Sequence, residues 1–225
     1  MAERAANEPT EVDKSLAVAA LYGRVNVVKY LVGEGAQIDA CGKEGYTPLF
    51  NASANGHLDV VQYLVDHRAQ VEKGDIDGHR PLHIASGNGN LDIVKYLVDQ
   101  GAQVESGDND GETPLHIASF LGRLEVVQYL VGQKAKIDVI NLNGKTPLYL
   151  ASHQGHLHVV KCLVNHGAHV ELGNNAGETP LLIASRKGHL DVVQYLESEQ
   201  EQRTNARPEG MINIFLTVIM GGYFM

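Results

Sequence analysis

Gly144-Lys145-Thr146 opens an apolar, helix-patterned stretch and has the shape of the end of a phosphate-binding loop. In such a loop backbone amides cradle phosphates, the lysine reaches them and the hydroxyl meets magnesium. The pattern also needs a glycine five positions before Gly144, and Val139 stands there. Eleven histidines raise a metal reading, with His153, His156, His158, His166 and His169 crowded together. Zinc sites usually add cysteine pairs or a His-Glu-x-x-His helix, and neither is present. A hydrolase needs one serine beside one histidine and one acid. Here Ser53, Ser86, Ser119, Ser152 and Ser185 return at one fixed spacing, and a nucleophile is not repeated five times. Tyr30, Tyr63, Tyr96, Tyr129 and Tyr195, with Cys162 filling a gap, form a further series. They are expected to pack as a stack of neighbouring rings with hydroxyls to water. Asn51-Ala52-Ser53 is formally a glycosylation sequon, but it lies in a packed helix pattern. No catalytic, cofactor or metal site follows from any of these.

One period explains why these residues recur. Related segments start at Gly45, Gly78, Gly111, Gly144 and Gly177, thirty-three residues apart. Each runs approximately Gly-x-Thr-Pro-Leu-x-x-Ala-Ser-x-x-Gly-x-Leu-x-Val-Val-x-Tyr-Leu-Val-x-x-Gly-Ala-x-Val. A period of this length means one unit stacked on itself rather than a globule around one pocket.

Each unit predicts two short antiparallel helices and a turn. Thr47 can cap the first helix, and Pro48 fits its first position, where the missing N–H is not needed. Leu49, Ala52 and Ser53 make a small inner face, and Gly56 ends the helix. Leu58, Val60, Val61, Leu64 and Val65 then carry an apolar stripe at helical spacing. A Gly-Ala pair closes the second helix, as at Gly35, Gly101 and Gly167, consistent with a left-handed cap. Arg68 and Lys134 replace that glycine in two units. The polar stretch 71–77 reads as a projecting turn.

The expected organisation is a disordered segment 1–14, an array over 15–203 and an apolar tail over 204–225. The units fall near 15–44, 45–77, 78–110, 111–143, 144–176 and 177–203. The first is degenerate, with Ser15 to Ala20 where Thr-Pro-Leu should stand. The last ends in the polar run Glu197 to Gln202, as a soluble terminal unit requires.

The period, together with Thr113-Pro114-Leu115-His116-x-Ala118, resembles the ankyrin repeat over about residues 15–200. The motif histidine is kept at His83 and His116 but is Phe50, Tyr149 and Leu182 elsewhere, and Thr becomes Arg80 in the second copy. The resemblance implies an all-α, curved solenoid of stacked antiparallel helix pairs with projecting hairpin-like loops. It implies non-catalytic protein binding on a concave face. It also implies that His57, His156 and His189 tie the turn between the helices.

The totals agree with that class. Eighteen basic and 27 acidic residues give a net charge of −9, which disfavours nucleic acid and anionic membranes. Cys41 and Cys162 fall in different units, tens of ångströms apart at ~10 Å per stacked helix. A disulfide needs Cα atoms within about 7 Å, so both are expected as free thiols in a reducing compartment. The start, MAERAANEPTEVDK, lacks an apolar signal core. A cytoplasmic or nuclear monomer is expected.

Positions that vary between copies are free to choose a partner. They lie around the leading glycine and before the internal glycine, at finger tips and the outer side of the first helix in this family. The candidates are Tyr46, Ile76, Asp77, His79, Asp110, Glu112, Phe120, Leu121, Leu142, Lys145, His153, Arg186 and Lys187. Tyr46, Ile76, Phe120, Leu121 and Leu142 are large apolar groups, and interface energy concentrates in such anchors. Phe120 and Leu121 are the foremost pair. Asp77, Asp110 and Glu112 make the middle acidic, while Lys145, Arg186 and Lys187 make the C-terminal part basic.

Met211 to Met220 is almost wholly apolar, is too short for a bilayer span of about 20 residues and stands outside the repeat pattern. It is read as a cap on the last unit, as a membrane-surface or partner-binding segment, or as the margin of a gene model or of a longer protein. The third is favoured because a free apolar tail promotes aggregation. The functional expectation is a scaffold or adaptor for a protein partner. The alternative is a membrane-associated ankyrin protein, or a fragment of one, using the tail. An enzyme has no support in the sequence.

Overall fold

A computed structural model describes residues 9–205. Every regular element among them is a helix, twelve in all, arranged as six pairs. The first helices of the pairs are α1 Glu11–Leu21, α3 Pro48–Asn55, α5 Pro81–Asn88, α7 Pro114–Phe120, α9 Pro147–Gln154 and α11 Pro180–Lys187. The second helices are α2 Val25–Gly33, α4 Leu58–Asp66, α6 Leu91–Asp99, α8 Leu124–Gly132, α10 Leu157–Asn165 and α12 Leu190–Asn205. Each helix packs on its pair mate, and first helices pack on first helices and second on second in sequential order. The result is the stacked helical array that the period predicts.

Local chemistry sets each helix end. The hydroxyls of Thr47, Thr146 and Thr179 accept the amides of Phe50, Tyr149 and Leu182, so the first turn starts with a filled donor. Proline follows at the first helical position in five units. Gly56 ends α3 in the left-handed region at φ +79°. An added Cβ at Gly122 or Gly155 would lie under 3 Å from the ring of His156 or His189, so that glycine also makes room for the next unit. The core runs as one cluster through all six pairs. Leu16, Leu49, Leu82, Leu115 and Leu148 line the first helices, with Val28, Val61, Val94, Val127 and Val160 opposite them on the second.

The loops between pairs are fingers bonded to one another. In each of four fingers an Asp or Asn oxygen accepts the amides two and four residues on: Asp75, Asp108, Asn141 and Asn174. This side-chain turn fixes the loop without a sheet. The amides of Ile76, Asn109, Leu142 and Asn175 then donate to the carbonyls of Glu44, Asp77, Asp110 and Asn143 in the preceding finger, at 2.9 to 3.2 Å.

Three expectations change. The segment placed as disordered over 1–14 is helical from Glu11, because Thr10 and Asp13 form a capping box. Asp13 Oδ1 also takes the amide of Gln37 at 2.7 Å, anchoring the helix to the following turn. Residues 1–8 lie outside the described residues. The last helix runs to Asn205, beyond the expected array end at 203. Two members of the tyrosine series meet cations, with Lys29 over Tyr63 and Lys161 over Tyr195, and Tyr63 also packs its ring on His67 at 3.9 Å. The apolar run 211–220 falls outside the described residues. No helix among the described residues is long and apolar enough to cross a membrane.

Arg68 and Lys134 adopt φ of +71° and +65°, where a Cβ is strained. Gly35, Gly101 and Gly167 hold that phase elsewhere with nothing within 4 Å of an added Cβ. Removing the strain without losing a contact should stabilise by about 1 kcal/mol per site. Arg68→Gly and Lys134→Gly are each expected to raise the melting temperature by about 2–4 °C. Calorimetry showing no change or a fall in both would show that the left-handed backbone carries no strain there.

Candidate functional site

The finger loops and first helices share one surface. In four units the residue after the leading glycine lies against the first helix of its own unit. Tyr46 stacks on Phe50 with ring centroids 4.8 Å apart. His79 meets His83 edge-on at 6.4 Å, and the Lys145 ammonium sits 5.9 Å from the Tyr149 ring centre. Glu178 pairs with Arg186 at 2.9 Å.

In three units one side chain ties this surface to the next finger. Nδ1 of His83 accepts the Arg80 amide at 3.2 Å. An amide can only donate, so the ring proton sits on Nε2 and is donated to the Glu112 carbonyl at 3.1 Å. His116 repeats this between the Thr113 amide and the Lys145 carbonyl. Tyr149 does the same work with its hydroxyl, donating to Glu178 Oε2 at 2.6 Å. Phe50 can make no such bond, and there Tyr46 stacks on it instead. Burial lowers the His83 imidazole from 6.5 to about 4 against the opposing pull of Asp108, and it lowers His116 too. Burial and the Glu178 carboxylate push the Tyr149 hydroxyl up to about 12.

Of the sequence candidates, Tyr46, Ile76, Phe120, Leu121 and Leu142 are exposed, from 37 % at Phe120 to 70 % at Leu142. Phe120 and His153 hold one phase in adjacent units, with rings 6.4 Å apart. Asp77, Asp110 and Lys187 are exposed. His79 is half-buried between Asp75 and Asp108, each 3.3 Å from a ring nitrogen, so it clasps two fingers. Glu112, Lys145 and His153 are half-buried, and Arg186 is exposed but paired.

The division of charge has electrostatic consequences. Burial raises the Glu112 carboxyl, and Asp108 and Asp110 add to the rise while Asn141 and Lys145 oppose it. Burial lowers the His153 imidazole, and Lys187, Lys145, His189 and Arg186 push the same way. The surface is thus acidic around Glu112 and basic around His153.

Asp75, Asp77 and His79 bring potential metal-ligand atoms within 4.8 Å of one another. Asp75 Oδ1 is already committed to two amides and His79 to two carboxylates. The same turn recurs with the uncharged Asn141 and Asn174. It is finger architecture.

Sequence reasoning missed Ile140, which is 60 % exposed beside Leu142 on one finger. Gly74, Gly107 and Gly173 hold its phase, and an added Cβ there meets the leading glycine's backbone at 2.9 to 3.2 Å. An isoleucine at a glycine phase was the available signal. The family resemblance expected His57, His156 and His189 to tie the inter-helix turn, and their Nε2 atoms bond the carbonyls of Leu21, Phe120 and His153 in the preceding unit.

Two family models match the chain. One, described as ankyrin repeats in three copies, covers residues 68–141 and 133–207. The other, described as ankyrin repeats in many copies, covers residues 16–65. No curated protein matches.

His83 binds a proton less readily folded than unfolded. Its contribution to stability is therefore full above about pH 6.5 and is lost as the pH falls from 6.5 to about 4. The limiting slope is about 1.4 kcal/mol per pH unit. His83→Leu, using the residue found at Leu182, should be less stable near neutral pH by about 1–3 kcal/mol, because two partly buried partners lose their bonds. That gap should narrow on acidification through the window. Urea melts that run parallel for both proteins across it would contradict this tie.

Proposed function

The chain belongs to the ankyrin-repeat family, and from that premise we propose a non-catalytic scaffold or adaptor that holds a protein partner. Ankyrin repeats are in general protein–protein interaction modules. The binding surface in this reading is the one formed by the finger loops and first helices, the concave face of the family's solenoid. The observation that supports it most is exposure of large apolar side chains at the varying phases. Tyr46, Ile76, Phe120, Leu121 and Leu142 stay in contact with solvent while the repeated leucines and valines are buried. Apolar anchors ringed by charge are what a specific interface uses. Ile140 joins Leu142 as a second anchor on that finger. The acidic surroundings of Glu112 and basic surroundings of His153 would orient a partner of the opposite pattern.

The test is capture by the immobilised chain followed by quantitative mass spectrometry. A Phe120→Ala, Leu121→Ala double variant should lose the true partner by at least about tenfold, the loss expected from about 1.4 kcal/mol at an anchor pair. Tyr30→Ala, on the second-helix side, should retain it. Equal capture by the wild-type chain and the double variant, both with unchanged circular dichroism melts, would reject this surface.

A further inference from the structure

Among the described residues, the C-terminal end of the array leaves open phases that every earlier unit buries. Leu182 is 56 % exposed, whereas Phe50, His83, His116 and Tyr149 at the same phase are at most 7 % exposed. Ser185 is exposed, whereas Ser53, Ser86, Ser119 and Ser152 are fully buried. Leu181 and Val193 are half-buried at phases that are closed in every earlier unit. Leu190 is 71 % exposed beside them. In earlier units it is the next unit that closes these positions, since each first helix packs on the one after it.

The chain continues past this face with sequence that keeps the array's phase. Gly210 stands thirty-three residues after Gly177, and Gly221 thirty-three after Gly188. These are the glycines that open a unit and end its first helix. Between them Ile214 falls at the phase of Leu49, Leu82, Leu115, Leu148 and Leu181. Leu216 falls at the phase of Ile84, Ile117, Leu150 and Ile183. The Thr-Pro start is absent, replaced by Ile212-Asn213, and Ala-Ser becomes Thr217-Val218. Read alone, the segment lacks the motif. Read in register with a bare apolar face, it has the spacing and apolar character of a first helix.

The reach is sufficient. α12 has 16 residues where the other second helices have nine, so it overshoots by about 10 Å. The Arg203 guanidinium donates to the Ala168 carbonyl at 3.3 Å, which holds that overshoot against the preceding unit. Residues 206–212 include Pro208 and Gly210 and can span about 23 Å. That is enough to double back beside the start of α11.

We propose that residues 210–221 dock on the exposed face of α11 and α12 as the first helix of a partial seventh unit, covering Leu181, Leu182, Ser185 and Val193. This revises the sequence reading that set 211–225 outside the repeat. It stands independently of the partner surface, and each can fail without the other.

Hydrogen–deuterium exchange on the full chain tests it. The amides of 213–220 should be protected, and Leu182→Asp should speed their exchange by at least about tenfold, as expected when a buried leucine contact is replaced by a charge. Ile214→Asp alters the segment alone and should have the same effect. Protection in α3 to α10 should stay unchanged in both variants. Removing 206–225 should lower protection in α11, and Leu182→Asp should then have little further effect. The proposal is overturned if 213–220 exchange at unprotected rates in the full chain. It is equally overturned if they become protected only when the chain floats with phosphatidylcholine–phosphatidylserine vesicles, which would make the segment a lipid anchor.

Discussion

Each unit leaves behind a carbonyl at the end of its first helix, and the next unit supplies the donor. The carbonyls of Leu21, Ser53, Gly87, Phe120 and His153 receive bonds from His57, Asn90, Arg123, His156 and His189. Three residue types do one job at one phase, so the requirement is geometric. A buried acceptor left alone costs about 1–3 kcal/mol. The same register governs the Gly-Ala turns, where the amides of Gln70, Gln103, Lys136 and His169 find Asp39, Glu72, Glu105 and Asp138 one unit earlier, and Asp13 on α1 takes the Gln37 amide within the first pair. Stability in such an array is a sum of units and nearest-neighbour interfaces. The apolar seam supplies the bulk of the attraction, and these bonds fix its register.

Under the proposed function, that register leaves a surface free for recognition. Finger backbones are held by their own Asx turns and by the finger before them, so the tips can vary without unfolding the loop. A platform ordered before binding loses little further entropy when a partner docks. Chemistry-bearing residues are absorbed by the same logic. His83 and His116 spend both ring nitrogens on adjacent units, and Ser53, Ser86, Ser119 and Ser152 lie fully buried at helix contacts.

Most departures from the sequence reading occur where a residue serves more than its own unit. Thr10 and Asp13 spell a capping box, and Asp13 also takes the amide of Gln37 beyond α2. Arg80 is no threonine, and the structure shows its guanidinium crossing to Glu72 and to the Gly107 carbonyl, locking two fingers. Tyr149 replaces a histidine yet reaches the same finger, because its longer side chain meets the carboxylate of Glu178 rather than a backbone carbonyl. The tyrosine phase is regular in sequence, but at Tyr63 and Tyr195 it is a lysine of the preceding unit that lies over the ring.

The sequence by itself determined the period, the helix pairs, their caps and the class of surface they make. Those features depend on contacts within about four residues and on a spacing repeated often enough to exclude chance. Only the tertiary structure decided which copies of a phase are covered. His116 and Leu182 hold one phase, yet the first is fully buried and the second is more than half exposed. The difference lies in the following unit, because in a stack the burial of a side chain is a property of its neighbour as much as of itself.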